Sequence, residues 1–205
     1  MPRVHVLRHG HVHNPDKVLY GRLPQFRLSE TGEEMARAAA DHLVTSGTPV
    51  TRVVASPLQR AQQTASPVAA AFGLDIVTDE RVIEAGNQFQ GEPIPRPIDF
   101  LHPKHWWRLR NPWRPSWGEP YAEQAARMRA AIADAAAANP DGDTVIVSHQ
   151  LPIWVARCDA EGRSFLHDPR SRECALCSIT TFEVTDGVPA FVGYATPAAH
   201  IEVPR

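Results

Sequence analysis

Cysteine is scarce in this 205-residue chain, which has only Cys158, Cys174 and Cys177. So sparse and odd a set argues against the disulfide framework of a small secreted domain. A zinc site built from Cys174-x-x-Cys177 with Cys158 and His167 is the sharper alternative. One such pair is a weak pattern, and Leu176 and Ile179 mark a strand starting there, so packing cysteines are the expectation. Long apolar runs are missing as well, and nothing approaches the length that spans a bilayer. The first strand begins by about residue 3, which leaves no room for the charged and apolar regions of a signal peptide. A soluble cytoplasmic protein without a membrane partner is expected. Charge of one sign is also lacking: Lys plus Arg number 21, Asp plus Glu 23, and no lysine-rich run occurs. The electrostatic footprint of a nucleic-acid binder is therefore absent.

What is present is an ordinary globular composition, 43% hydrophobic, in a chain long enough for one core and too short for two domains to be the default. A single domain over 1–205 without internal repeats is the reading. The apolar run Val4-His5-Val6-Leu7 reads as a strand and passes directly into Arg8-His9-Gly10. Val53-Val54-Ala55 passes likewise into Ser56-Pro57-Leu58-Gln59-Arg60, and Val145-Ile146-Val147 into Ser148-His149. In open α/β sheets ligands bind at the C-terminal edge of the strands. Three strand ends would thus deliver Arg8, His9, Arg60 and His149 to one place. Two guanidinium forks and two imidazoles suit a dianionic phosphate.

Between these strands the loop His11 to Arg27 is rich in turn formers, and its length beside a strand end points to function. A helix is expected from about Thr31, with Thr31 and Glu34 as a capping box and Met35, Ala39 and Leu43 on one face. A second is expected after Ser56 as cap and Pro57 at the first position, stopping at Gly73, with a kink or break at Pro67. A short strand near Asp75 to Val77 leads to Val82-Ile83-Glu84. From about 86 to 118 the composition changes to many prolines, with Trp106, Trp107, Trp113 and Trp117 interleaved with Arg96, Lys104, Arg108, Arg110 and Arg114. That stretch reads as an inserted lid. Helical spacing returns from Pro120 to Ala138. Strands at about Ser178 to Val184 and Ala190 to Tyr194 form a hairpin across Asp186-Gly187, which makes the sheet mixed.

Leu7-Arg8-His9-Gly10, then Ser56-Pro57-Leu58-Gln59-Arg60-Ala61-Gln62-Gln63-Thr64-Ala65, then Val147-Ser148-His149 resemble the histidine phosphatase (phosphoglycerate mutase-like) superfamily, in its order and over most of the chain. The resemblance implies a three-layer α/β/α fold with a mostly parallel mixed sheet and a phosphohistidine intermediate. Residue chemistry leads to the same roles. His9 is the candidate nucleophile, because neutral imidazole is available at neutral pH and nearby arginines disfavour its protonation. Its other ring nitrogen must then donate to a carbonyl to fix the tautomer. Arg8 and Arg60 would clamp phosphoryl oxygens, each charge pair at about 4 Å contributing at most roughly 4 kcal/mol at an effective dielectric near 20. His149 fits a third donor, best when protonated.

Glu84 is the candidate acid for the leaving alcohol, standing in the family's acidic position before Gly86 and Gly91; to donate it must be neutral, with a raised pKa. Asn14, Gly21 and Arg22 resemble the family's secondary phosphate-pocket residues, and Gln150 is a further candidate for substrate contact. His5 should point into or across the sheet, and His9, His11 and His13 lack the carboxylate or thiolate companions of a metal site. Neither metal nor cofactor is expected. Two departures bear on activity: His11 stands where the family's mutases have an acidic residue, and Gln150 where a small glycine is usual. Both favour a phosphatase acting on a small-molecule phosphomonoester. A mutase is the alternative, and a phospholigand-binding module without turnover a less favoured third.

Overall fold

Short apolar runs, buried on both faces, form the middle of the protein. The computed structural model describes residues 2–93 and 118–203. Strands β1 (Arg3–Arg8), β2 (Val50–Ala55), β3 (Ile76–Thr78), β4 (Asp143–Ser148), β5 (Ile179–Thr185) and β6 (Val188–Ala195) form one sheet in the order β3-β2-β4-β1-β5-β6. The β3-β2, β2-β4 and β4-β1 pairs are parallel, and the β1-β5 and β5-β6 pairs antiparallel. Leu7, Val53, Val145 and Val147 face one side of the sheet, where α1 (Glu30–Thr45) and α2 (Gln59–Phe72) add Met35, Leu43 and Val68. Val4, Val6, Val54 and Ile146 face the other, where α3 (Tyr121–Ala137) and α4 (Gln150–Ala160) add Met128, Ile132 and Ile153. A sheet buried on both faces between helix layers is the α/β architecture the sequence implied. Residues 94–117, the bulk of the expected lid with its four tryptophans, lie outside the described residues.

Some local expectations shift, for tertiary reasons. Helix α1 begins two residues earlier than the Thr31 capping box implies. Ser29 is its cap, accepting from the Gly32 amide at 3.0 Å, because the Ser29 backbone is anchored to the His11 carbonyl. Ser56 is not the cap of α2, whose flanking residue is Leu58. Its hydroxyl is committed instead to His149, at 2.8 Å. Pro67 does not break α2, since Ala65, Val68 and Ala69 on the same helix are buried and hold it together across the missing N–H. The hairpin turns through Asp186 (φ 52°) and Gly187 (φ 76°), a pair of left-handed residues that matches the twist of its strands. Helix α4 was not foreseen. Pro152 to Cys158 are all buried, so it shows no polar face and no helical period in the sequence.

Candidate active site

The pocket follows from the sheet register. Arg8 is the partner of Ser148 across the β1-β4 pair, and Ala55 the partner of Val147 across β2-β4, so three parallel strands end side by side. Past those ends the chain is stitched: His9 N–H donates to the Ser148 carbonyl at 3.1 Å and Ser56 N–H to that of Val147 at 3.0 Å. Gly10 must be glycine on steric grounds, because a Cβ there would stand 2.5 Å from the carbonyl oxygen of Gly32. Its amide donates to Thr64 Oγ1 at 3.1 Å, and that hydroxyl donates to the Arg60 carbonyl, which locks the triplet to α2.

His9 is 1% exposed and its Nδ1 lies 2.8 Å from the Gly10 carbonyl oxygen. A carbonyl only accepts, so Nδ1 carries the proton and Nε2 keeps its lone pair. Burial holds the imidazole well below its ordinary pKa, with Arg60 and Arg8 adding to the effect. It is a free base at neutral pH. His149 packs against it, ring centroids 5.1 Å apart, and is held neutral by burial, then by His9 and Arg60. Burial and the neighbouring cations all act in that one direction, and the protonation expected of His149 is one that a phosphate dianion would encourage. Ser56 Oγ accepts from the Leu58 amide and can give its own hydrogen to His149 Nε2, which leaves Nδ1–H as the free donor.

Arg60 is 0% exposed, in the first turn of α2 where the helix dipole disfavours a cation. One Nη donates to the Gly21 carbonyl at 2.6 Å, and the guanidinium lies over the Tyr20 ring at 4.8 Å. Among the described residues its Nε and other Nη have no partner, nor do Arg8 Nε and His149 Nδ1. Buried donors are rarely left unpaired, and these belong to residues whose charges or ring reach His9. Such a set of donors is chemically able to bind an anion with several oxygens.

Glu84 lines the same cavity as Arg8 and His9, a space of about 290 Å³. Its segment is held by Ser148 Oγ on the Val82 carbonyl at 2.7 Å and by Arg22 Nε on its own carbonyl at 2.6 Å. Burial raises its pKa, against the pull of the Ala85 amide, Arg60 and Arg8.

The weaker candidates divide. Gly21 lines the cavity with φ +42° and receives Arg60 on its carbonyl, and Gln150 lines it from the first position of α4, where the helix N–H groups have no intrahelical partners. Asn14 is not among the lining residues; its amide bonds both backbone groups of Val18 and so shapes the loop. Arg22 stands behind the wall, on the Glu84 carbonyl and on Glu119 at 2.9 Å. Tyr20, Tyr121 and Arg172 also line the cavity, and the sequence reading named none of them. They lie in loops or at a helix start with no motif to mark them. Cys158, Cys174 and Cys177 are buried, the thiols of the last two pushed up to about 11 and about 12 by burial. Among the described residues no three His, Cys, Asp or Glu side chains group as a metal site requires.

The family profile of the histidine phosphatase superfamily (branch 1) matches residues 4–197. The chain belongs to this superfamily. It is 48% identical over 198 residues to the uncharacterized protein Rv0525 of Mycobacterium tuberculosis (strain ATCC 25618 / H37Rv), covering 96% of this chain and 97% of the relative. It is 30% identical over 216 residues to the probable phosphoglycerate mutase GpmB of Yersinia enterocolitica serotype O:8, covering 100% of this chain and 97% of that one. Among solved structures, the mycobacterial glucosyl-3-phosphoglycerate phosphatase Rv2419c with inorganic phosphate superposes with a TM-score of 0.75 at 27% identity, covering 97% of this chain and 100% of that one. Within this histidine phosphatase fold, no helix of the described residues is long and apolar enough to cross a membrane.

Proposed function

We propose that the protein is a phosphatase that hydrolyses a small-molecule phosphomonoester through a phosphohistidine on His9. The observation that carries this reading is the state of His9: one ring nitrogen tied to Gly10, the other bare, amid buried donors without partners. In the first step Nε2 forms a bond to phosphorus while the ester P–O bond breaks, and the departing electron pair takes a proton from Glu84. Arg8, Arg60 and His149 hold the phosphoryl oxygens through this charge transfer. In the second step water attacks phosphorus, Glu84 receives its proton, and the P–N electron pair returns to His9. A carboxyl whose pKa is raised by burial suits both halves of the cycle.

Hydrolysis is favoured over transfer by residue 11, where the family's mutases carry an acid. Here His11 Nδ1 is bonded to Ser29 Oγ at 2.8 Å, and the residue does not line the cavity. The likeness to both a phosphatase and a probable mutase makes the decisive assay a paired one. A panel of phosphomonoesters should release inorganic phosphate, while 3-phosphoglycerate is not isomerised; isomerisation faster than phosphate release would reverse the assignment. Glu84→Gln tests the acid. Its loss should be large, about 10²-fold or more, for an alkyl leaving group and small for p-nitrophenolate, which departs without a proton. Equal losses on both would remove Glu84 from the leaving-group step.

A further inference from the structure

Among the described residues, one cation lining the cavity is left over by the phosphate chemistry. Arg172, between α4 and β5, lines the space shared by His9 and Glu84, and both Glu84 and Arg8 are near enough for their charges to act on it. Its Nε donates to His167 Nε2 at 2.7 Å. His167 Nδ1 in turn lies 2.6 Å from the Phe165 carbonyl oxygen, so it carries the proton and Nε2 is a pure acceptor. The ring is held between Trp154, at 5.5 Å, and Tyr121, at 6.3 Å. Arg172 is therefore built into place rather than loose in solvent.

What it is built for follows from what it lacks. Among the described residues no carboxylate pairs with Arg172, and its two terminal nitrogens have no partner. The acidic residues around it are otherwise engaged. Glu119 is shared by Arg22 and Arg127, and Glu173 pairs with Arg157. Glu84 lines the same cavity without a hydrogen bond to Arg172, its oxygen accepting instead from the Ala85 amide at 2.8 Å. With Nε held by His167, the edge that remains is the end-on pair of terminal nitrogens, a fork that matches the two oxygens of a carboxylate.

We propose that Arg172 reads a carboxylate on the alcohol portion of the substrate, with His167 as the residue that positions it. The inference rests on the phosphatase reading and deepens it: the preferred substrate is a phosphomonoester whose leaving alcohol bears a carboxylate. Such a group would lie on the side of Glu84, where the alcohol departs.

The test compares D-3-phosphoglycerate with glycerol 3-phosphate, which differ in a carboxylate against a hydroxymethyl group. Wild-type kcat/KM should favour the carboxylate by about 30-fold, the scale of one charge-assisted bidentate contact. In Arg172→Met that ratio should fall below about threefold, and in Arg172→Lys, which keeps a point charge without the fork, it should fall to about tenfold or less. The lysine variant carries the test if the methionine variant does not fold. His167→Leu should raise KM for 3-phosphoglycerate more than it lowers kcat, and His167→Gln, which restores an acceptor, should recover part of that loss. A wild-type ratio near one, or equal losses on both substrates in the Arg172 variants, overturns the proposal and makes Arg172 part of the phosphate clamp. Turnover of p-nitrophenyl phosphate by the wild type separates the two levels. An inert enzyme removes the phosphatase reading and this inference together, whereas an active one with a ratio near one removes this inference alone.

Discussion

His5 stands inside β1 and His9 directly after its C-terminal end; they are 8% and 1% exposed, and both have imidazoles held below their ordinary pKa by burial. Their surroundings differ in one respect. His5 Nε2 lies 3.1 Å from Asp143 Oδ2 and its Nδ1 3.0 Å from Thr181 Oγ1, while Asp143 Oδ1 accepts the Arg3 amide at 3.0 Å. A neutral ring that donates to the carboxylate and accepts from the hydroxyl is fully satisfied. Past the C-terminal end of the strand His9 has one nitrogen bare, and Arg8, Arg60 and His149 keep donors without partners among the described residues. The first cluster is complete and serves the fold. The second leaves buried donors unpaired among the described residues, which supports the proposed binding of a phosphoryl group there.

The contrast can be broken most decisively at His9. Replacement by Ala should lower turnover by at least about three orders of magnitude on every substrate and abolish any acid-labile phosphoenzyme. A variant retaining a tenth of wild-type activity would make His9 no more functional than His5. Arg60→Met should come next, with activity down about 10²- to 10³-fold. Without ligand its stability in urea should be unchanged or raised by up to about 2 kcal/mol, because a buried charge with two unpaired nitrogens gives way to apolar packing. Orthovanadate, which should raise the wild-type melting temperature, should leave this variant unmoved. A marked loss of stability would instead mean that the charge supports the fold.

At the His5 cluster the signs reverse. Asp143→Ala should cost about 2–3 kcal/mol of stability by leaving the His5 ring and the Arg3 amide unpaired, with kcat/KM per folded molecule changed less than about threefold. A large activity loss in a folded variant would erase the distinction. The smallest effect is the pH dependence of stability. The folded-state pKa of His5 lies below the 6.5 of a free imidazole. Below about pH 6.5 the unfolded chain therefore binds the proton first, and stability falls as pH drops toward the folded-state value. His9 and His149 act with the same sign. The urea midpoint should decline from pH 7 to pH 5, less steeply in His5→Asn, and a midpoint that rises on acidification would refute the assignment of neutral buried rings.

Much of the fold was legible because its signals are local. Short apolar runs at Val4-His5-Val6-Leu7, at Val53-Val54-Ala55 and at Val145-Ile146-Val147 marked strands, and a polar residue directly after each run marked the sheet edge where ligands collect. Helix α4 escaped because burial on all sides erases the period that reveals a helix. The Ser29 cap escaped because its position depends on contacts with His11, and Ser56, expected to cap α2, does not do so because its hydroxyl is committed to His149.

By itself, then, the sequence determined which side chains leave the sheet at its C-terminal edge, since strand and helix periods depend only on near neighbours. Tertiary structure alone decided which buried polar groups are satisfied. The partners of His5 come from 138 and 176 residues away, and Arg172 enters the cavity from a loop between α4 and β5 that carries no motif. Whether a buried histidine holds the fold or awaits a ligand is set by the sum of hydrogen bonds and desolvation over groups that meet only once the chain has folded.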